Sequence, residues 1–127
     1  MSAKRAGRPV FDASAVLALL QGEPGEEKLR EAQPQAVVSA VNVAEVLAKL
    51  VDHGIPPRQA LAAFGALHLE TLPFDGAAAE NSAAYVAKGT SLGDRCFLAA
   101  AHLHGLGWTS DRNLGSLPGV PPLRFFR

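Results

Sequence analysis

Short apolar runs alternate with longer amphipathic stretches along the whole chain. Pro9 to Asp12 predicts a short strand, and Ala13 to Leu20 the helix it feeds. Glu23-Pro24-Gly25-Glu26 opens a second short helix, with proline near the first turn and acids where the helix dipole favours them. Ala36 to Ser39 reads as a buried strand, after which Val43, Val46, Leu47 and Leu50 follow the i, i+3, i+4, i+7 spacing of an amphipathic helix. Gly54 stops that helix, and Pro56-Pro57 starts another that runs to about Leu67. Leu69 to Phe74 resembles a strand, and Asp75 caps a helix reaching about Lys88. Gly89-Thr90-Ser91 breaks the chain before a strongly apolar helix from about Gly93 to Leu103. Leu106 to Thr109 and Leu123 to Phe126 supply the last strands. This alternation predicts an α/β fold, a mainly parallel sheet between two helical layers.

Composition narrows the picture. With 127 residues the chain makes one domain with a sizeable core. Lys plus Arg equals Asp plus Glu at 12 each, so no global field draws the protein to nucleic acid and any anionic partner must be captured locally. Cys96 is the only cysteine, which excludes an internal disulfide and suits a reducing cytoplasm; it reads as a small buried apolar residue. No apolar run reaches the roughly 18–20 residues of a membrane span. Residues 1–8, with Lys4, Arg5 and Arg8, read as a flexible basic tail ahead of a domain over residues 9–127.

Four of the twelve acids fall near strand-to-helix junctions. Asp12 and Asp111 each come at the end of an apolar strand, Glu45 lies on the helix after Ala36 to Ser39, and Asp94 sits in Ser91-Leu92-Gly93-Asp94-Arg95-Cys96. Each has a second explanation. Ser91 and Asp94 match a helix capping box, Asp12 and Asp111 are candidate N-caps, and Glu45 precedes Lys49 by four residues as an ordinary surface pair. In a parallel sheet, however, such junctions converge on one rim. Glu45 also points opposite the apolar stripe of its helix, on the side shared with Asn42, toward water or a cleft.

Four carboxylates on one rim favour a hard cation, Mg²⁺ or Mn²⁺, which relieves their repulsion and lowers the pKa of a bound water. That chemistry suits a metal-dependent phosphodiesterase acting on RNA or DNA. Competing arrangements fall short. His102 and His104 lie about 200° apart around a helix and cannot share a metal. There is no Gly-rich phosphate loop and no Ser/His/Asp set. The haloacid-type phosphatases need a second Asp two residues after the first, but Asp12 is followed by Ala13-Ser14.

The motifs together carry a resemblance. Val10-Phe11-Asp12-Ala13-Ser14-Ala15-Val16-Leu17-Ala18-Leu19-Leu20 resembles the opening of a PIN domain, specifically of the VapC-type toxin ribonucleases. Val38-Ser39-Ala40-Val41-Asn42-Val43-Ala44-Glu45-Val46 is similar to that family's second acidic motif. Ser91-Leu92-Gly93-Asp94-Arg95-Cys96 and Thr109-Ser110-Asp111-Arg112 resemble the third and fourth, and the ordered set covers about residues 9 to 126. Trp108, in a position more often aliphatic, and the ending Arg124-Phe125-Phe126-Arg127 depart from the pattern.

The resemblance implies a five-stranded parallel sheet in an α/β/α sandwich. It also implies Mg²⁺- or Mn²⁺-dependent endoribonuclease activity on RNA, a homodimer, and an inhibitory antitoxin that threads a C-terminal segment into the acidic pocket. Asp12, Glu45, Asp94 and Asp111 carry over as catalytic metal ligands, and Ser14 and Thr109 as polar groups near the metal and the scissile phosphate. Asn42, Arg95 and Arg112 are candidate phosphate or substrate contacts. The rival readings are a PIN nuclease of RNA processing, a DNA nuclease, and a binding protein that keeps the fold without the chemistry.

Overall fold

Where a strand ends in this protein, a short polar side chain takes over the first free N–H groups of the helix that follows, as helix starts demand. A computed structural model describes residues 7–87 and 89–127. Strand β1 (Arg8–Phe11) passes to Asp12, whose carboxylate caps α1 (Ala13–Gln21). α2 (Glu26–Ala32) and a 3₁₀ turn (Gln33–Gln35) lead to β2 (Val37–Ser39). Ser39 caps α3 (Ala40–Asp52), which is followed by α4 (Pro57–Gly65) and β3 (Glu70–Leu72). Asp75 caps α5 (Gly76–Ser82), and Ser91 caps α6 (Leu92–His104). β4 (Gly105–Thr109), a 3₁₀ helix (Arg112–Ser116) capped by Asp111, and β5 (Leu123–Phe125) complete the chain.

The five strands form one sheet in the order β3-β2-β1-β4-β5, every neighbouring pair parallel. Alternate residues serve opposite faces, as the two-residue period of a strand requires. Phe11, Val38 and Trp108 pack with α1 to α4 in one apolar layer, including Ala15, Leu19, Leu29, Val46 and Leu50. Val10 and Val37 face the other way, onto Phe97, Leu98 and Ala101 of α6. This is the expected three-layer α/β/α sandwich with a five-stranded parallel sheet.

The strand order places a reversal beside β1. The chain leaves β1 into α1 on one face, but leaves β4 through Leu114 on the other. At such a reversal the two connections part and open a crevice beyond the carboxyl ends of the strands.

Some boundaries differ from the sequence reading. Arg8, read as tail, opens β1: it is paired with Gly105 and its guanidinium bonds Glu70 at 3.0 Å. The rest of the basic tail, residues 1–6, lies outside the described residues. α5 ends at Ser82 rather than near Lys88, which itself lies outside the described residues. There the Thr90 hydroxyl takes the Ala87 N–H at 3.2 Å and donates to the Ala87 carbonyl at 2.7 Å, folding the segment back. β3 is shorter than Leu69 to Phe74 because Pro73 has no N–H to continue a ladder. α6 passes into β4 without a loop, which requires Gly105: its φ is 139°, and a side chain there would strike the backbone of Gly7 and Arg8.

Candidate active site

The crevice is a cleft of about 270 Å³, and Asp12, Glu45, Asp94 and Asp111 all line it, with Ser14, Asn42, Lys49 and Gly93. Four acids far apart in the sequence thus meet at one place. Asp12 arrives at the end of β1, Asp111 just past β4, Glu45 on the outer side of α3, and Asp94 in the first turn of α6.

Capping and site-building coexist in these residues. Asp94 Oδ2 accepts the Ser91 N–H at 3.0 Å while Ser91 Oγ accepts the Asp94 N–H at 3.1 Å, a complete capping box. Asp111 Oδ1 accepts the Asn113 N–H at 3.0 Å. Each cap occupies one carboxylate oxygen and leaves the other for the cleft. Asp12 Oδ1 accepts both the Ala15 N–H at 3.0 Å and the Ser14 hydroxyl at 2.6 Å. Ser14 Oγ in turn accepts the Ser110 N–H at 3.2 Å, tying the start of α1 to the loop after β4. The fully buried Thr109 hydroxyl accepts the Asp111 N–H at 3.0 Å and also bonds Asp12. Ser14 and Thr109 therefore hold two of the acids from beneath.

Glu45 is held from the side. The Asn42 amide nitrogen donates to Glu45 Oε1 at 2.9 Å and to the Gly93 carbonyl at 3.2 Å, joining α3 to α6. Asn42 is only 2 % exposed. Both partners are acceptors, so the amide NH₂ must face them. Its Oδ1 then points elsewhere and has no hydrogen-bond partner among the described residues. Gly93 leaves room for this placement, because a Cβ there would overlap both carboxylate oxygens of Glu45 and push that side chain aside. Asn42 thus orients a carboxylate from within the lining of the cleft.

Electrostatics mark the centre of the cleft. Burial pushes the Asp12 carboxyl up from its ordinary 3.8 to about 6, against the lowering effect of its bonds from Ser14, Thr109 and Ala15, and the charge on Asp94 adds to the rise. A hard-oxygen donor set that includes a carboxylate so costly to keep charged suits a divalent cation. No group of three or more His, Cys, Asp or Glu side chains among the described residues is arranged to enclose an ion by itself. The donor set fits a cation that keeps part of its water shell, as Mg²⁺ does.

Two candidate contacts lie elsewhere. Arg95 donates to the Thr90 carbonyl at 2.9 Å and fixes the loop before α6. Arg112 donates to the Arg127 carbonyl at 3.1 Å and sits over the Phe125 ring at 4.9 Å. Neither lines the cleft, because a residue next to an acid in sequence points to another side of the helix. Lys49 and Gly93, which do line it, went unrecognised in the sequence. Lys49 falls seven positions after Asn42, the same helical face, and that spacing was the available signal. Cys96 is 5 % exposed and burial raises its thiol pKa, as befits a packing residue.

The PIN domain matches residues 10–119 of the chain. The chain belongs to the PIN domain family. Solved structures share the fold of this PIN domain over nearly its whole length. A toxin–antitoxin complex from Klebsiella pneumoniae matches with a TM-score of 0.72 at 22 % identity, covering 94 % of this chain and 98 % of that one. DNA-bound VapBC from Salmonella typhimurium gives 0.75 at 14 % identity, covering 95 % and 99 %. VapBC2 from Rickettsia felis, bound to a DNA fragment from its promoter, gives 0.69 at 10 % identity, covering 92 % and 97 %. No curated protein matches the sequence. No helix among the described residues is long and apolar enough to cross a membrane.

Proposed function

We propose that this PIN domain is an endoribonuclease dependent on Mg²⁺ or Mn²⁺, acting as the VapC-type toxin of a toxin–antitoxin pair. The observation that carries the reading is the meeting of Asp12, Glu45, Asp94 and Asp111 in one cleft at the sheet's reversal point. Toxin–antitoxin complexes among the structures that share its fold support the assignment to a toxin and a cognate antitoxin partner. The resemblance of the sequence motifs to the VapC-type toxins is what suggests a homodimer.

Asp12, Asp94 and Glu45 are the residues that would hold the cation, with Asp111 completing the set or orienting the attacking water. When bound, the cation supplies charge for the phosphodiester oxygens and lowers the pKa of a bound water. The chain's own part is positioning. Ser14 and Thr109 fix the Asp12 carboxylate, Asn42 fixes Glu45, and the Ser91 cap fixes Asp94. A site whose groups are locked before substrate arrives avoids reorganisation during the reaction.

A second reading, a PIN-fold binding protein without chemistry, draws on the fact that no three acids among the described residues enclose an ion. One digest separates the two: total cellular RNA with the purified protein in Mg²⁺ or Mn²⁺, in EDTA, and with the Asp94→Asn variant. Discrete cuts that need both the metal and Asp94 are expected, and a parallel DNA digest is expected to stay intact. Absence of cutting by well-folded, antitoxin-free protein would move the assignment to the binding reading. Growth arrest on expression, rescued by coexpressing the antitoxin, separates a toxin from a processing nuclease.

A further inference from the structure

We infer that Lys49 is the residue through which the cleft grips the phosphate backbone of its RNA substrate, an assignment that rests on the nuclease reading above. A site bearing four carboxylates repels a polyanion, and the chain's balanced charge offers no long-range compensation. The metal answers that repulsion at the scissile phosphate alone, so the neighbouring phosphates call for a side-chain cation, and the two arginines adjacent to the acids are committed elsewhere, Arg95 to the Thr90 carbonyl and Arg112 to Arg127 and Phe125. Among the described residues, Lys49 is the cation that lines the cleft.

Its obvious surface partner is turned away. Glu45, four residues earlier on α3, directs its carboxylate to Asn42 and against Gly93. The ion pairs among the described residues join Arg8 to Glu70, Arg30 to Glu26 and Arg127 to Glu23, and leave Lys49 out. Lys49 is exposed and lies at the junction between the cleft and a shallow trough along α3 that Leu47, Ala48, Val51 and Asp52 line. A strand leaving the acids over α3 passes this ammonium first. Lysine is well suited to such a contact, since a hydrated point charge on a flexible stem accepts a phosphate without demanding one base sequence.

The test is the binding of a fluorescein-labelled single-stranded RNA, followed by anisotropy in Mg²⁺ at several salt concentrations. The parent is the Asp94→Asn variant, chosen because the nuclease reading expects it not to cleave. Adding Lys49→Gln is expected to weaken binding about three- to tenfold and to flatten the slope of log K against log salt by about 0.7, the loss of one phosphate contact to a single strand. Lys49→Arg is expected to keep most of the affinity and the slope, and Lys28→Gln on α2 to change neither. Equal affinity and slope for parent and Lys49→Gln would overturn the assignment alone. A parent that binds no RNA would overturn the nuclease reading and this assignment with it.

Discussion

Replacing Asp12 by Asn should stabilise the metal-free protein while removing its activity. The fold raises the Asp12 carboxyl from 3.8 to about 6, chiefly by burial. Over that window the folded state holds a proton that the unfolded chain has already lost. Stability therefore falls as pH rises through the window and levels off above about 6. At about 1.36 kcal/mol per pH unit, keeping the charge at neutral pH costs the fold about 3 kcal/mol. Asp12 is partly exposed to cleft water, and screening brings the net figure to about 1–2 kcal/mol. Asparagine has the same shape and is an equally good N-cap, so the bond from the Ala15 N–H survives. Differential scanning fluorimetry in EDTA at pH 7.5 should show the variant melting roughly 4–8 °C above the parent. At pH 4 the two should melt together, and Mg²⁺ should raise the parent's Tm more than the variant's. An Asp12→Asn protein that melts lower than the parent at pH 7.5, or whose advantage persists at pH 4, would show that burial of the charge is not what strains this carboxylate.

Two further substitutions probe the supports of the cleft. Gly93→Ala puts a methyl group onto the Glu45 carboxylate. The exposed, flexible end of Glu45 can swing aside at little cost to stability, but the displaced carboxylate should lower RNA cleavage at least tenfold; a variant with parental activity would show that Glu45 needs no fixed position. Ser91→Ala deletes one half of the capping box that starts α6 and presents Asp94. A loss of about 1 kcal/mol in urea unfolding is expected, together with weaker cleavage at limiting Mg²⁺, and unaltered unfolding would remove the cap from the account of Asp94.

Much of this architecture was legible along the chain because its signals are local. Strand and helix periods, the caps at Asp12, Asp75 and Ser91, and the apolar stripe of α3 depend on neighbours within a few residues, and they specify a parallel α/β sandwich on their own. The four acids were legible too, since each follows or begins a recognisable element. Boundaries were less so. α5 gives way at Ser82 to a 3₁₀ turn over Ala83–Tyr85, and the direct passage from α6 to β4 depends on Gly105 lying against Gly7.

Membership of the cleft was settled by packing between elements. Sequence adjacency made Arg95 and Arg112 look like partners of the acids, yet helix geometry aims them at a loop carbonyl and at the last residue of the chain. Asn42 read as a substrate contact; the fold also gives it a bracing part, because α6 brings the Gly93 carbonyl to the same amide that holds Glu45. Lys49 looked like half of a surface ion pair until that brace turned Glu45 away. A sequence lists which charges a chain carries and on which side of its own element each one stands. Which charges face one another is set by contacts between elements, such as the 51-residue span from Asn42 to Gly93, and those exist only once the sheet has assembled.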